Sequence, residues 1–358
     1  MLYHFLAPLA PIFGPFNLFN YISFRCFGAL LTSLALCFII APAFIRALKR
    51  AQVGQPIRDD GPKQHRRKEG TPTMGGALIL ISMMVSTLLW GDLNNVYLWI
   101  TLGVVSLFAL IGGIDDYKKL RTRTHRGLSA RTRLLLEVMA CSVGLVFLYD
   151  FIGGVPPLQV PFFKDVLVDL GLFAVPFAVL VIVGSANGVN LTDGLDGLAV
   201  VPVMFVLLCF LVISWVVGHS VAASYLQLSH VPASGELAIF CAAALGACLG
   251  FLWYNAPPAM IFMGDMGALA IGSALGCIAV ITRHELVLLI VGGLFVVETV
   301  SVIIQVLSYQ LTGKRVFLMA PLHHHFEQRG WQEATIVVRF WIISAVLALM
   351  GLATLKIR

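Results

Sequence analysis

Charged residues are scarce in this chain. Of its 358 residues, only 12% are Asp, Glu, Lys or Arg, whereas 59% are hydrophobic. A chain this apolar cannot fold as one soluble domain without leaving large apolar faces in water. Its length instead accommodates about ten membrane spans of roughly 20 residues each. The composition therefore predicts a polytopic membrane protein and argues against a soluble enzyme.

Three further absences narrow the function. The seven cysteines include no CxxC pair and all fall in apolar segments, which is typical of small buried residues and not of a zinc site. The net charge of +6 is not accompanied by a basic domain with interleaved aromatics, so no nucleic-acid partner is expected. No internal repeat is evident, which weakens the case for a transporter built from inverted repeats.

Apolar runs place ten spans along the chain. They predict an all-α, polytopic integral membrane protein with one transmembrane domain covering residues 1–358. The predicted spans are 19–44, 74–91, 97–114, 132–151, 171–186, 198–218, 236–254, 262–281, 286–307 and 338–356.

The basic residues predict the orientation of these spans. If the N-terminus lies outside, nineteen of the 24 Lys and Arg residues fall in or beside three inside loops, which are 45–73, 115–131 and 308–337. Such an excess marks the cytoplasmic side of a membrane protein. Both termini are then expected to be periplasmic.

The same orientation places every polar motif on the cytoplasmic side. The motifs are GTPTMGG (70–76), DDYKK (115–119), NGVNLTDGLDGLA (187–199), FMGDMG (262–267) and APLHHHF (320–326). Carboxylates at a lipid boundary are costly unless they face water, a partner or a metal. Their collection on one face indicates a polar reaction site there and favours an enzyme over a scaffold.

Three aspartates are candidates for metal and phosphate chemistry. Asp115 and Asp116 are neighbours on a helix and therefore point about 100° apart, so one can face a site while the other engages a lysine or a metal. The alternative is an interfacial charge cluster paired with its own lysines. Asp265 is either the N-cap of the eighth span or a further oxygen ligand for Mg²⁺.

The segment NGVNLTDGLDGLA is the most specific motif. Its glycines permit close approach of the backbone to a ligand, and Asn190, Asp193 and Asp196 carry groups that can read a base or a ribose. The alternative is a polar turn between two spans. Phe262 is placed either to stack on a base or to anchor at the interface.

The histidine cluster at 323–325 and one acid within a span leave open questions. Three consecutive histidines cannot all aim at one ion on a regular backbone, so phosphate binding or positioning is favoured over a metal site. Glu298 lies within the ninth span without an obvious partner. It is either a hydrogen-bonding group of the bundle interior or part of a lipid path.

Together and in this order, the motifs resemble those of the phospho-N-acetylmuramoyl-pentapeptide transferases, a family of the polyprenyl-phosphate N-acetylhexosamine-1-phosphate transferase superfamily. The paired Asp, the NLTDGLDGLA stretch and MGD are superfamily features, and PLHHHFE and GTPTMGG point to this family. One departure is Ala268, where the family commonly has Ser. The resemblance covers nearly the whole chain.

The resemblance implies roles for individual residues. The catalytic residues it implies are Asp115, Asp116, Asp265 and His324, with Asp265 as the metal ligand. The substrate-binding residues it implies are Lys68, Thr73, Lys119, Asn190, Asp193, Asp196, Asn255, Phe262 and His325.

The resemblance also implies a reaction and its participants. Phospho-MurNAc-pentapeptide would pass from UDP-MurNAc-pentapeptide to undecaprenyl phosphate, giving lipid I and UMP for peptidoglycan synthesis. It further implies Mg²⁺, a homodimer, and a location in the bacterial inner membrane with the site facing the cytoplasm. Two rival functions remain: a related transferase using UDP-GlcNAc, and a transporter or lipid flippase.

Overall fold

The computed structural model describes residues 1–51, 70–122, 124, 127–163 and 167–357. Fourteen α-helices occur in these ranges, and they are α1 (Leu2–Leu6), α2 (Ile22–Arg50), α3 (Gly76–Trp90), α4 (Val96–Thr122), α5 (Ala130–Ile152), α6 (Ala174–Thr192), α7 (Val200–Gly218), α8 (Ser220–Leu226), α9 (Leu237–Asn255), α10 (Gly264–Thr282), α11 (Glu285–Val291), α12 (Gly293–Thr312), α13 (Leu322–Gln328) and α14 (Glu333–Ala353). Short 3₁₀ turns lie at Ala7–Leu9, Gly14–Asn20, Gly171–Phe173 and Ser234–Glu236.

The prediction of an all-α membrane protein is confirmed. In the described ranges nine helices are long and apolar enough to cross a membrane, and α3 is an apolar helix of 15 residues. Each of the ten predicted spans overlaps one of these helices. The strands among the described residues, β1 (Leu158–Gln159) and β2 (Leu167–Val168), form one short antiparallel pair between α5 and α6.

Several predicted boundaries differ from the structure by a few residues; α2 continues to Arg50, for example, and α6 to Thr192. Two further differences concern the ninth span and α4. The ninth span, predicted as 286–307, is interrupted at Gly292 and consists of α11 followed by α12. Consecutive glycines at 292 and 293 weaken a helix locally, because glycine loses more backbone entropy than other residues when it is fixed in a helix. In α4 the helix continues beyond the predicted end of the span at residue 114 to Thr122, and Asp115 and Asp116 are neighbours on this helix, as predicted.

The centre of the bundle is built from α9 and α10, which are the most deeply buried helices. Small residues allow α10 to pack closely on its neighbours. Gly272 and Gly276 face the backbone of α6 at Ala186 and Ile182, where a side chain would not fit. Close backbone approach through small residues is the common mode of helix association in membranes.

Glycines also bring the polar ends of three helices together. A Cβ on Gly112 of α4 would overlap the backbone of Asp265 in the first turn of α10. A Cβ on Gly76, the first residue of α3, would overlap the backbone of Gly267. These two contacts place the beginning of α10 between the polar end of α4 and the beginning of α3.

The segments near the two chain termini lie at the same end of the bundle, opposite to the polar motifs. The Met1 ammonium donates hydrogen bonds to the carbonyl oxygens of Leu88 and Leu89, at the end of α3. Near the C-terminus, the Lys356 ammonium lies 4.3 Å from the ring centre of Tyr225 in α8. Both termini are therefore remote from the end at which the polar motifs meet.

Candidate active site

Three carboxylates form an acidic cluster at one end of the bundle. The cluster consists of Asp115 and Asp116 on α4 and Asp265 on α10, and one oxygen of each lies within 4.8 Å of the others. Among the described residues, this is the group of His, Cys, Asp or Glu side chains arranged to hold a metal ion. An all-oxygen set suits a hard cation such as Mg²⁺. The predicted convergence of the three acids is confirmed.

The neighbouring aspartates of α4 have different partners. Asp115 lies 2.7 Å from the Lys119 Nζ, one turn further along the helix, and accepts a hydrogen bond of 2.5 Å from the Leu128 backbone N–H. Asp116 accepts from the backbone N–H groups of Asp265 at 3.3 Å and Met266 at 3.0 Å. Asp116 therefore satisfies two N–H groups at the start of α10, where a negative charge is favourable.

Asp265 does not cap its own helix. The N-cap residue of α10 is Met263, and its side chain makes no capping hydrogen bond. The capping role considered for Asp265 from the sequence is filled by Asp116. The Asp265 carboxylate is instead directed at two cations.

Lys119 and Arg133 are those cations. The Lys119 Nζ donates to Asp265 Oδ2 at 2.6 Å, and the Arg133 Nη1 lies 3.6 Å from the same oxygen. Arg133 Nη2 donates to Asn187 Oδ1 at 3.1 Å, and its Nε lies 3.5 Å from the buried carboxylate of Glu137. The site thus combines three acids with two bases.

Arg133 and Glu137 were not predicted as site residues. The sequence does carry a signal for them, because they lie four residues apart on α5 and so share one helix face. Glu137 is also an acid within an apolar span, where an ionisable group usually has a functional partner. Its partner, the Asn187 amide nitrogen, donates to it at 2.5 Å.

The segments 70–76 and 262–267 are joined by backbone hydrogen bonds. Phe262 N–H donates to the Pro72 carbonyl at 2.9 Å, and Gly75 N–H donates to the Phe262 carbonyl at 2.8 Å. Gly264 has a φ of +75°, and a Cβ there would lie 2.7 Å from Asp116 Oδ2 and 3.0 Å from Thr73 Oγ1. Thr73 and Phe262 are thereby placed beside the acidic cluster.

Asn255 and Asp196 connect two loops. Asn255 Oδ1 accepts from the Gly197 N–H at 3.1 Å, while its Nδ2 donates to the Ile261 carbonyl at 2.9 Å. Asp196 Oδ2 accepts from the Ala259 N–H at 3.0 Å. The connection between α6 and α7, residues 193–199, is therefore tied to the connection between α9 and α10.

Asn190 and Asp193 lie where α6 ends. Asn190 is in the last turn of α6, and Asp193 is its C-cap residue. Burial, and then the negative charges of Asp265, Asp116 and Asp196, raise the pKa of Asp193 to about 7. Because the ordinary value is 3.8, Asp193 keeps its proton up to a higher pH than an ordinary aspartic acid does, and below neutral pH it can donate a hydrogen bond.

The predicted histidines occupy the short helix α13. His324 Nδ1 lies 2.6 Å from Glu327 Oε2, and His325 Nδ1 accepts from the Leu318 N–H at 3.1 Å. His323, for which the cluster predicted phosphate binding or positioning, is fully buried against Gly194 of the α6–α7 connection, so it is not open to a phosphate. Lys68 lies outside the described residues.

Known proteins share both the motifs and the length of this chain. Residues 98–283 match the family model for glycosyl transferase family 4, and residues 68–80 match signature 1 of the phospho-N-acetylmuramoyl-pentapeptide-transferases. A protein of that description from Pelagibacter ubique (strain HTCC1062) is 50% identical over 361 residues, covering 100% of each chain. The chain belongs to the phospho-N-acetylmuramoyl-pentapeptide-transferase family.

Membership in this transferase family agrees with the resemblance drawn from the motifs. The signature at 68–80 includes Thr73 and the segment 72–75, whose backbone is hydrogen-bonded to Phe262 beside the acidic cluster. The glycosyl transferase match at 98–283 includes the acidic cluster and both tied connections. The two matched ranges therefore include the part of the bundle where the polar motifs meet.

Proposed function

We propose that this transferase moves phospho-MurNAc-pentapeptide from UDP-MurNAc-pentapeptide to undecaprenyl phosphate, releasing UMP and forming lipid I for peptidoglycan synthesis. The observation that carries the proposal is the meeting of Asp115, Asp116 and Asp265 with Lys119 at one end of a membrane bundle. Such an arrangement serves phosphoryl transfer, in which catalysis is mostly positioning and neutralisation of charge. Its location at the membrane boundary suits one soluble and one lipid substrate.

The donor set of the acidic cluster fits Mg²⁺. The ion would be held by carboxylate oxygens of Asp265 with Asp115 or Asp116, and it would neutralise charge on the diphosphate of the donor. Lys119 now bridges Asp115 and Asp265 through their oxygens. With a bound donor, we expect the Lys119 ammonium to turn to a phosphate oxygen, for which its flexible stem is suited.

The favoured route is a direct displacement. An oxygen of the lipid phosphate attacks the β-phosphorus of the donor, a new P–O bond forms, and the bond from that phosphorus to the UMP oxygen breaks. A phosphate monoester has a second pKa of about 6, so the attacking group is already largely ionised at neutral pH. In the alternative two-step route, one aspartate first forms a phosphosugar ester.

The nucleotide would bind between the tied loops. Asn190, Asp193 and Asp196 offer hydrogen-bond groups for uridine, and Phe262 offers an aromatic face for the base. Thr73, Asn255 and His325 complete the proposed binding residues, together with Lys68. We assign His324 to the phosphate groups.

We further propose that this end faces the cytoplasm of a bacterial inner membrane, that both termini are periplasmic, and that the protein is a homodimer. The excess of basic residues around the site supports the orientation. The dimer is expected from the family alone. Size-exclusion chromatography with light scattering on the detergent-solubilised protein tests it.

Release of UMP is the test of the reaction. Purified protein should release UMP from UDP-MurNAc-pentapeptide only when undecaprenyl phosphate and Mg²⁺ are both present. A transporter or flippase would release none. The same assay with UDP-GlcNAc should give no product, and equal turnover of the two donors would favour the related transferase.

A further inference from the structure

Glu298 is a carboxylate in the interior of the protein that the proposed reaction does not use. It lies in the second turn of α12 and is fully buried. A carboxylate within a membrane span carries a large desolvation cost unless other groups pair with it. The group that pairs with Glu298 therefore indicates which contact the buried carboxylate maintains.

That partner is His323, in the first turn of α13. Glu298 Oε1 accepts the His323 backbone N–H at 3.2 Å and lies 3.3 Å from the Nδ1 of the same residue. The N-cap residue of α13, Pro321, makes no capping hydrogen bond with its side chain. A seven-residue helix is marginal by itself, so an acceptor from α12 at its first turn helps to hold it.

The ring of His323 reaches the loop that carries Asp193 and Asp196. A Cβ on Gly194 would overlap His323 Nε2, which means that the imidazole lies directly on the Gly194 backbone. Glu298 and His323 therefore form a continuous contact from α12, through α13, to the α6–α7 connection. Both α13 and the α6–α7 connection, which this contact joins, carry residues proposed to bind the donor.

Overall stability does not require a charged pair at this place. Among the described residues, Glu298 Oε2 and His323 Nε2 have no hydrogen-bond partner. An incompletely satisfied buried pair is often less stable than apolar residues of similar volume. Apolar packing suits this place, since Leu195, Leu198 and Leu294 form a hydrophobic cluster here with residues of α14.

We propose that Glu298 is a positioning residue of the donor-binding site. By fixing His323, it sets the position of Gly194 between the donor-binding acids and the orientation of α13 with His324 and His325. The ligand positioned in this way is a nucleoside diphosphate sugar. The identity of that ligand rests on the proposed function, whereas the contact between the helices does not.

Two substitutions separate positioning from stability. Glu298→Met removes both contacts and fills the same space, and Glu298→Gln keeps an acceptor for the His323 N–H. In the purified, detergent-solubilised protein we expect Glu298→Met to melt at or above the wild-type temperature. Its affinity for UMP, measured by calorimetry, should fall about 5- to 150-fold, which is the usual size of the coupling between two sites in one protein.

The kinetic constants give an independent measure. The KM for UDP-MurNAc-pentapeptide should rise with the loss of UMP affinity, while the KM for undecaprenyl phosphate should stay within a few-fold of wild type. Glu298→Gln should fall between Glu298→Met and wild type. Glu285→Gln is the control, because Glu285 begins α11 at the far end of α10 from the acidic cluster, and it should leave all constants unchanged.

Each outcome decides the proposal. Wild-type UMP affinity in Glu298→Met would overturn it, as would a lost melting transition in Glu298→Met combined with wild-type binding in Glu298→Gln, which would assign the pair to folding alone. If wild-type protein binds UMP but releases none from the donor, the proposed reaction fails while the positioning role stands. If wild type turns over and Glu298→Met does so equally well, only the positioning role fails.

Discussion

At the scale of single residues, the site is a balance of charges. Asp265 lies 2.6 Å from Lys119 Nζ and 3.6 Å from an Arg133 nitrogen, so its carboxylate faces two cations and is still partly open to solvent. Asp116 uses its oxygens on backbone N–H groups of α10. The two acids therefore have different partners although they are neighbours in space.

Asp265→Asn tests the role of Asp265 as a metal ligand. The substitution keeps the shape of the side chain and removes its charge, and Asp115 remains to pair with Lys119, so the protein should stay folded. We expect kcat to fall by at least about 100-fold, the usual effect of removing one electrostatic stabiliser. Turnover should be measured over a Mg²⁺ series. Near-normal turnover at limiting Mg²⁺ would exclude direct ligation.

The control for this experiment is Asp150→Asn. Asp150 is exposed near the end of α5 that points away from the site. The same change of charge there should alter neither kcat nor the Mg²⁺ dependence. A similar loss in both variants would mean that total charge, and not the site, is responsible.

Substitutions at Asp196 and Asp116 should affect different steps: the first should weaken donor binding, and the second should stop the transfer. Asp196→Ala removes the acceptor of the Ala259 N–H from the loop proposed to hold uridine, so donor affinity should weaken by about 5- to 150-fold. Asp116→Asn should leave donor affinity within a few-fold and abolish transfer. Calorimetric titrations of both variants with UMP measure this, and equal losses of affinity would contradict the division.

At the scale of helices, glycines determine which side chains meet. Gly112 lies one turn before Asp116 on α4, and its lack of a side chain lets the first turn of α10 approach that face of the helix. Only at this separation can Asp116 accept the N–H groups of Asp265 and Met266. The acidic cluster is thus a product of close helix packing.

Gly112→Ala should disrupt the cluster. The added methyl group meets backbone atoms of Asp265, which cannot move aside as a flexible side chain would. Overpacking of this kind costs about 1–3 kcal/mol, so the melting temperature should fall and transfer should be strongly reduced. Gly113→Ala is the matched control.

The control residue has ordinary surroundings. A Cβ on Gly113 would come no closer than 3.7 Å to the Met266 side chain. Gly113→Ala should therefore retain both melting temperature and activity. Equal effects of the two alanines would show that the helix contact at Gly112 is not what holds the cluster.

At the scale of the whole molecule, orientation follows from the distribution of charge. In the described part of the chain, the segments near the termini share one end of the bundle, and the acidic cluster with Lys119 and Arg133 lies at the other. A cysteine placed at Thr124 should be labelled from the cytoplasmic side by an impermeant thiol reagent, and one at Gln227 from the periplasmic side. Six of the seven native cysteines are buried, so background labelling should be small once Cys26 is replaced by serine. The reverse pattern would remove the basis for a cytoplasmic site.

The sequence by itself determined the ten spans, the helical fold and the collection of the polar motifs at one end. These features depend on the length of each hydrophobic segment and on whether the number of membrane crossings between two loops is odd or even, and both can be read along the chain. The sequence also identified Asp115, Asp116 and Asp265 as acids that converge. It did not show the interruption at Gly292 or the continuation of α4 to Thr122.

Only the tertiary structure decided which side chains touch. That Lys119 bridges two acids, that Arg133 joins Asp265, and that Glu298 meets His323 all depend on contacts between residues distant in the chain. Those contacts are set by how closely and at what rotation helices pack, through glycines such as Gly112. Helix rotation has no one-dimensional signature in spans that are apolar on every side, because lipid and protein interior are then equally apolar surroundings.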